Sequence, residues 1–555
     1  MMHRRHTPHD RPGAWPAVFM FMAAMIWLPQ AEAADGYDEL TALFQEWRAF
    51  EEPARVDGAP DYSKSAMKKK HRDLKALQRR LAAIDPSGWP IEQQVDHHIV
   101  RAEMNGLDFN IRVLKPWSRD PAFYQQVWTY QSDTPAHEGP TNHALIELWT
   151  YDFPLSDDQA DKLIAGLNTV PPLLRAARDN LDGNARDLWM AGIHTMELQA
   201  EDLRALNETV GAGNAVLSRA VNDALTATQD FVAWLKEEAP NKTGPSGIGK
   251  ENYTWRSKNV HLIPLAWEDE VMLLKRELKR AHASLRLEEH RNRALPPLPV
   301  ASSPEEYEAQ ALDSVDRYMA YLEENDILPI KDYLKPALVE RIGSFAPEEN
   351  RNFFQQAMHR EPMTLWTHFY HWWDLARMEN EPHESLIRRG PLLYNIFDSR
   401  AEGMATGMEE MMMHAGLYDD NPRVREIVWI MQAQRAARGL ASLYAHANEF
   451  TMKDASDFHV KWTPRGWMSP DLQLLGFEQQ LYLRQPGYGT SYVVGKHLVE
   501  KLLADRARQV LEEQGEDYTL SQFFEELDEA GVIPMSLIRW QLTGDDSVIR
   551  AMTGE

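Results

Sequence analysis

The segment Thr364 to Met378, TLWTHFYHWWDLARM, concentrates the residues best able to do chemistry: two histidines, an aspartate, three tryptophans and a tyrosine. Read as one helix, it sets His368 and His371 a turn apart, and His371 and Asp374 a turn apart again. Imidazole nitrogen and carboxylate oxygen are both competent metal donors. Trp366, Trp372 and Trp373 would form a dry wall that strengthens electrostatic interactions. An aromatic core helix with satisfied histidines has the same pattern, so a ligand set needs support from elsewhere in the chain.

That support comes downstream, in FDSRAEGMATGMEEMMMHAGLYDDNPR. Glu402 and Glu409 are spaced to share one helical face two turns apart, where they could ligate a metal, fix a ligating histidine or remain solvated. Gly403 permits close approach of another backbone, and Met404, Met408, Met411 and Met412 read as a packing surface rather than a soft-metal site. The His383-Glu384 pair in PHESL lacks a second histidine at Ile387, and Pro382 marks it as a helix start where His-Glu serves capping and charge. No phosphate loop of the Walker type and no GxSxG elbow is present.

The elements that must position these residues read as helices throughout. Leu74, Leu77, Leu81 and Ile84 form one stripe that Asp85-Pro86 ends, and Val499, Leu502, Leu503 and Val510 form another that stops at Gly515. Glu237 to Trp255 reads as a Pro- and Gly-rich loop. Ser303 caps a helix with Pro304 at its first position and Glu306 completing a capping box. Strand-type alternation and solenoid repeats are absent. The expectation is an all-α fold: a large single multi-helical domain with a central cleft over residues 34–555, preferred over two domains because composition does not change across the two proline-rich breaks.

Residues 1–33 read as a signal peptide. Arg4, Arg5 and Arg11 are its basic leader, Ala17 to Leu28 its apolar run, and Ala31-Glu32-Ala33 the small-residue site before cleavage at Ala34. The mature chain is therefore expected in the periplasm or secreted, with no membrane attachment after cleavage. With 555 residues it can bury enough surface to dispense with disulfides, and its lack of cysteine excludes thiol catalysis. A net charge of −25 opposes nucleic-acid binding.

Several stretches together resemble the domain-of-unknown-function 885 family, a group of bacterial, often exported, all-helical proteins related to gluzincin-type zinc metallopeptidases. LAAIDPSGWPIEQQVDHHIVRAEMN is similar to the family's opening helices and IGKENYTWRSKNVHLIPLAWEDEVMLLKREL to its central segment. AEGMATGMEE falls where the family has EGWALYxE, aligning Glu402 and Glu409. RAARGLASLYAH is similar to RAxRLVVDxGLH, aligning Arg435, Arg438 and His446, with Ser442 in place of the aspartate. FEQQLYLRQPGYGTSYVVG resembles ExxRYxxxPGQAxxYxxG through Glu478, Pro486, Gly487, Tyr492 and Gly495, with Leu481 for the arginine and Tyr488 for the glutamine. The family's HExxPGH falls on His368 to Asp374: Phe369 takes the place of the general-base glutamate, Asp374 that of the second histidine, and Trp372-Trp373 that of the Pro-Gly bend.

The resemblance implies zinc or another divalent metal, if any, held by His368, Asp374 and Glu402. The proton acceptor must be replaced, with Glu409, Glu410, His371 and His446 as candidates, and the neutral phenol of Tyr492 would stabilise an oxyanion. His371, Trp373, Arg438 and Tyr488 would then contact a peptide or small-molecule ligand. Ordinary zinc peptidase activity is not expected, because phenylalanine cannot take a proton. Three readings follow: a diverged metal-dependent hydrolase with a rebuilt site, a catalytically inactive cleft-bearing binding protein, or a structural factor in which these residues are core.

Overall fold

A computed structural model describes residues 31–211, 213–471 and 473–554. The leader and apolar run expected before the cleavage site lie outside the described residues. The chain is all-α. Its described strands are two short pairs: Arg55–Val56 antiparallel to Ala59–Pro60, with Val56 opposite Ala59, and Val127–Trp128 parallel to Ile146–Glu147, with Val127 opposite Ile146. Among the described residues no helix is long and apolar enough to cross a membrane.

Local sequence sets most helix boundaries. Ser63 caps Lys64–Leu81, whose Leu74, Leu77 and Leu81 are buried as the stripe requires. Tyr488–Gln514 ends at Gly515, where a φ of 72° is free of the Cβ penalty. Ser303 accepts the Glu306 amide as a cap; the Glu306 carboxylate reaches back to Ser302 rather than to Ser303. The proline- and glycine-rich stretch is shorter than its composition implies. Gly249, at φ 82°, ends it and the helix Lys250–Asn259 begins directly after. His383 lies in irregular chain instead of a helix start, and its Nδ1 accepts the Ser385 amide.

The apolar interior forms two main clusters. The smaller is built largely by the helices Asp157–Leu167, Val170–Asn180, Arg186–Val210 and Ala215–Glu238, around Leu163, Leu173, Trp189 and Phe231. The larger runs from Leu40 on Ala31–Glu51 to Ile549 and holds Asp398–Ala415, Val424–His446 and Tyr488–Gln514. Met404, Met408 and Met412 are fully buried there, each worth about 1.5–3 kcal/mol of transfer free energy. Asp398–Ala415 and Tyr488–Gln514 meet backbone to backbone: a Cβ on Gly403 would stand 2.5 Å from the carbonyl carbon of Gly495. The close approach expected of Gly403 is thus made, and it brings Glu402 against Tyr488 and Tyr492.

Candidate functional site

The histidine segment is two helices, Met363–His368 and Tyr370–Asn380, broken at Phe369 (φ −73°, ψ 17°). The break turns His371 back toward His368, and the two rings meet edge to face at 5.1 Å. Glu402, from Asp398–Ala415, completes the group: ligand atoms of His368, His371 and Glu402 lie within 4.8 Å of one another, and all three residues are buried. Both ring nitrogens of His371 and Oε2 of Glu402 have no hydrogen-bond partner, although buried polar atoms are nearly always paired. Two imidazole nitrogens and one carboxylate oxygen are a donor set suited to zinc and similar divalent ions, so the residues present fit such a metal.

Asp374, expected as a ligand, is not part of this group. Its carboxylate is held by Arg400 at 3.0 and 3.1 Å and by Arg377 at 2.9 Å, and Asp528 bridges the same two guanidiniums. The helix break is the physical reason: it rotates Asp374 away from the His371 side and into this buried ion cluster. Trp373 is likewise a core residue instead of a ligand contact, its indole N–H donating to the Leu334 carbonyl at 2.9 Å and its ring stacked on Tyr318 at 5.8 Å. His446 faces the Gln473–Arg484 helix, where Nε2 donates to the Tyr482 carbonyl at 2.8 Å. Burial lowers its imidazole to about 4, and the structure places the ring against the Tyr482 main chain rather than in the His368, His371 and Glu402 group.

Glu409 stands behind His368. Its Oε1 lies 3.0 Å from His368 Nδ1 and 2.5 Å from Arg435 Nη2, while Arg435 Nη2 also lies 3.0 Å from the same ring nitrogen. Burial pushes the Glu409 carboxyl up to about 8, against the pull of Arg435 and Arg438. Burial, then Arg435, holds His368 well below its ordinary value, so the ring is neutral. Arg435 Nη2 donates to Nδ1, so the neutral ring carries its proton on Nε2, which faces Glu402 Oε2 at 3.9 Å. Glu409 and Arg435 together back the His368 ring on the side away from Glu402.

Arg438 pairs with Glu478 and lies 3.9 Å over the Tyr492 ring, which stacks on His368 at 6.2 Å. The Tyr492 phenol is held neutral, its value raised by burial and by the Glu402 charge. These aligned residues do converge on one locus.

Glu138 and Asp133 carry no motif or spacing signal that marks them as site residues. They lie in the loop joining the short parallel strands, pinned by the Gly139 amide on Gln485 (2.5 Å), the Asn395 amide on the His137 carbonyl (3.2 Å) and Arg484 on the Pro140 carbonyl (3.1 Å). The loop brings Glu138 to 3.0 Å and Glu402 stands at 2.6 Å from the one Tyr488 hydroxyl, and Asp133 lies 3.6 Å from His371. A single hydroxyl proton cannot serve two carboxylates, so one carboxyl must carry a proton of its own. Accordingly, burial and then Asp133 raise both Glu138 and Glu402. Carboxyl groups outnumber guanidiniums at this locus, where Asp133, Glu138, Glu402, Glu409 and Glu478 face Arg435 and Arg438. Such a cluster favours a bound cation.

Fold and site together define an all-helical protein with a buried histidine–carboxylate centre. The chain belongs to the family described as "Bacterial protein of unknown function (DUF885)", whose model matches residues 51–361. That match includes Glu138 and ends before His368. No curated protein matches the chain. Among solved structures it is similar to "a putative lipoprotein of unknown function from Shewanella oneidensis", with TM-score 0.65, 15% identity, and 92% of this chain and 99% of that one covered. It is also similar to "the putative lipoprotein from Colwellia psychrerythraea", with TM-score 0.60, 12% identity, and 94% and 99% covered. At these identities the likeness is one of fold.

Proposed function

We propose that the protein is an exported, diverged metal-dependent hydrolase of peptides or other small molecules, with a site rebuilt around His368, His371 and Glu402. The observation that carries this reading is the convergence of these three buried side chains with unpartnered His371 nitrogens and Glu402 Oε2. The chemistry a bound divalent cation supplies there is Lewis-acid polarisation and the acidification of water.

The chain's own groups cover the remaining needs. Glu138 takes the proton-transfer role that Phe369 cannot fill: burial and the neighbouring Asp133 raise its carboxyl well above the ordinary range, and Tyr488 holds it against Glu402. Tyr492 and Arg438 offer a phenol and a guanidinium to developing negative charge. Glu409 and Arg435 fix the His368 ring. The basic leader and the two lipoprotein relatives support an exported or envelope-associated location.

The second reading is a cleft-bearing binding protein without turnover, favoured by Phe369, whose ring packs on Trp366 at 5.5 Å. Metal analysis of the purified chain, after incubation with zinc or manganese, tests the first. One equivalent that is lost in His368→Ala and His371→Ala supports it, and no metal in the wild type ends it. Chelator-sensitive hydrolysis of a model peptide or ester panel, abolished in Glu138→Gln with metal retained, separates enzyme from binding protein.

A further inference from the structure

A cavity of ≈160 Å³ is lined in part by the 136–141 segment, through Ala136, His137, Gly139, Pro140 and Thr141. Its walls are aromatic. Tyr62 stacks on Trp117 at 6.4 Å and meets Phe123 edge-on at 4.9 Å, and Tyr394 faces them. Cavities of this size hold about one aromatic ring.

Three buried polar atoms among the lining side chains have no hydrogen-bond partner: Arg256 Nη1, Asn110 Oδ1 and Glu51 Oε2. Arg256 is 4% exposed, and its other nitrogens are committed to main-chain carbonyls, Nε to Pro486 at 3.1 Å and Nη2 to Tyr394 at 3.5 Å. The free Nη1 is thus a fixed cationic donor. Glu51 keeps Oε1 on the Tyr394 hydroxyl at 2.6 Å, leaving Oε2 with Lys70 3.7 Å away. One donor and two acceptors without hydrogen-bond partners, lining one cavity, form a polar pattern that calls for a ligand with an acidic group and a donor of its own.

We propose that this cavity binds a small aromatic carboxylate that also carries an N–H or O–H donor. The ring sits among Tyr62, Trp117 and Phe123, the carboxylate meets Arg256 Nη1, and the donor meets Asn110 Oδ1 or Glu51 Oε2. A cation lacks a partner for Arg256, and a phosphate asks for more donors than one free guanidinium nitrogen supplies. A free aromatic amino acid and a hydroxyaryl acid share the chemistry required. The site makes no use of the histidine centre and stands whether or not that centre holds metal.

Calorimetric titration of the full chain, in chelator, with L-phenylalanine, L-tyrosine and 4-hydroxybenzoate, against benzyl alcohol and benzylamine, tests it. Saturable one-to-one binding of the carboxylates, with the two uncharged or cationic analogues at least about tenfold weaker, is expected. Selectivity for the amino acids or for the hydroxy acid identifies the source. Arg256→Gln should lose the carboxylate preference. Thr141→Trp, which fills the cavity and leaves Arg256 in place, should abolish binding with an unchanged melting temperature. Absence of saturable binding by every carboxylate, equal binding of benzyl alcohol, or undiminished binding to Thr141→Trp would overturn the proposal.

Discussion

His368 Nδ1 lies 3.0 Å from the Glu409 carboxylate, while its Nε2 faces Glu402 Oε2 at 3.9 Å. One imidazole is therefore gripped from behind by one carboxylate and presented to another. Glu409→Gln keeps the shape and replaces the carboxyl group that stands against Arg435 and the back of the His368 ring. Zinc affinity by competitive chelator titration is expected to fall about 10- to 100-fold, the usual size of such an outer contact. An unchanged affinity would show that Glu409 does not orient the ring.

Asp374 and His371 share a helix and separate in role. Asp374→Asn breaks a buried pair with Arg400 and should cost about 3–5 kcal/mol in urea denaturation while leaving metal stoichiometry intact. His371→Ala should do the reverse, losing metal at a smaller cost in stability. Metal lost in Asp374→Asn at full stability would restore Asp374 as a ligand.

Gly403→Ala places a methyl group 2.5 Å from the Gly495 carbonyl carbon, where only backbone can move. Overpacking of this kind costs about 1–3 kcal/mol or more, and here it also displaces Glu402 from Tyr488. A drop in melting temperature together with weakened metal binding is expected. Gly407→Ala, with nothing nearer than 3.8 Å, should be tolerated.

Glu270 supplies a pH-dependent contribution away from the site. Buried, and accepting hydrogen bonds from Tyr253 at 2.9 Å and Ser257 at 3.2 Å, it is raised by burial from 4.5 to about 7. A carboxyl raised on folding is most favourable to the fold when protonated. Its contribution is full below the unfolded value near 4.5 and is lost as pH climbs through about 7. Glu270→Gln should therefore stabilise the chain at pH 8 by about 3 kcal/mol relative to wild type and flatten that part of the stability profile. Identical wild-type and variant profiles between about pH 5 and 8 would refute this.

Much of the helical scaffold is legible in the chain because its causes are local. Leu74, Leu77 and Leu81 recur at helical spacing, Ser63 and Ser303 cap, Gly515 stops, and Gly403 announces a close crossing. The positions of His368, Glu402, Tyr492 and Arg438 at one locus follow from motif resemblance, since spacing alone does not bring different helices together. Asp374 was misplaced because a straight helix puts it one turn from His371, and the bend at Phe369 is invisible to periodicity.

Sequence alone determined that the protein is all-helical and that it carries an acidic surplus without cysteine, while the pairing of the His368 segment with the Glu402 helix was an expectation from family resemblance. Only the tertiary structure decided which side chains meet. Arg400 captures Asp374, Leu334 and Tyr318 absorb Trp373, and a pinned loop delivers Glu138 to Tyr488. Those choices rest on contacts between residues far apart in the chain, where packing and burial, not spacing, set the partner.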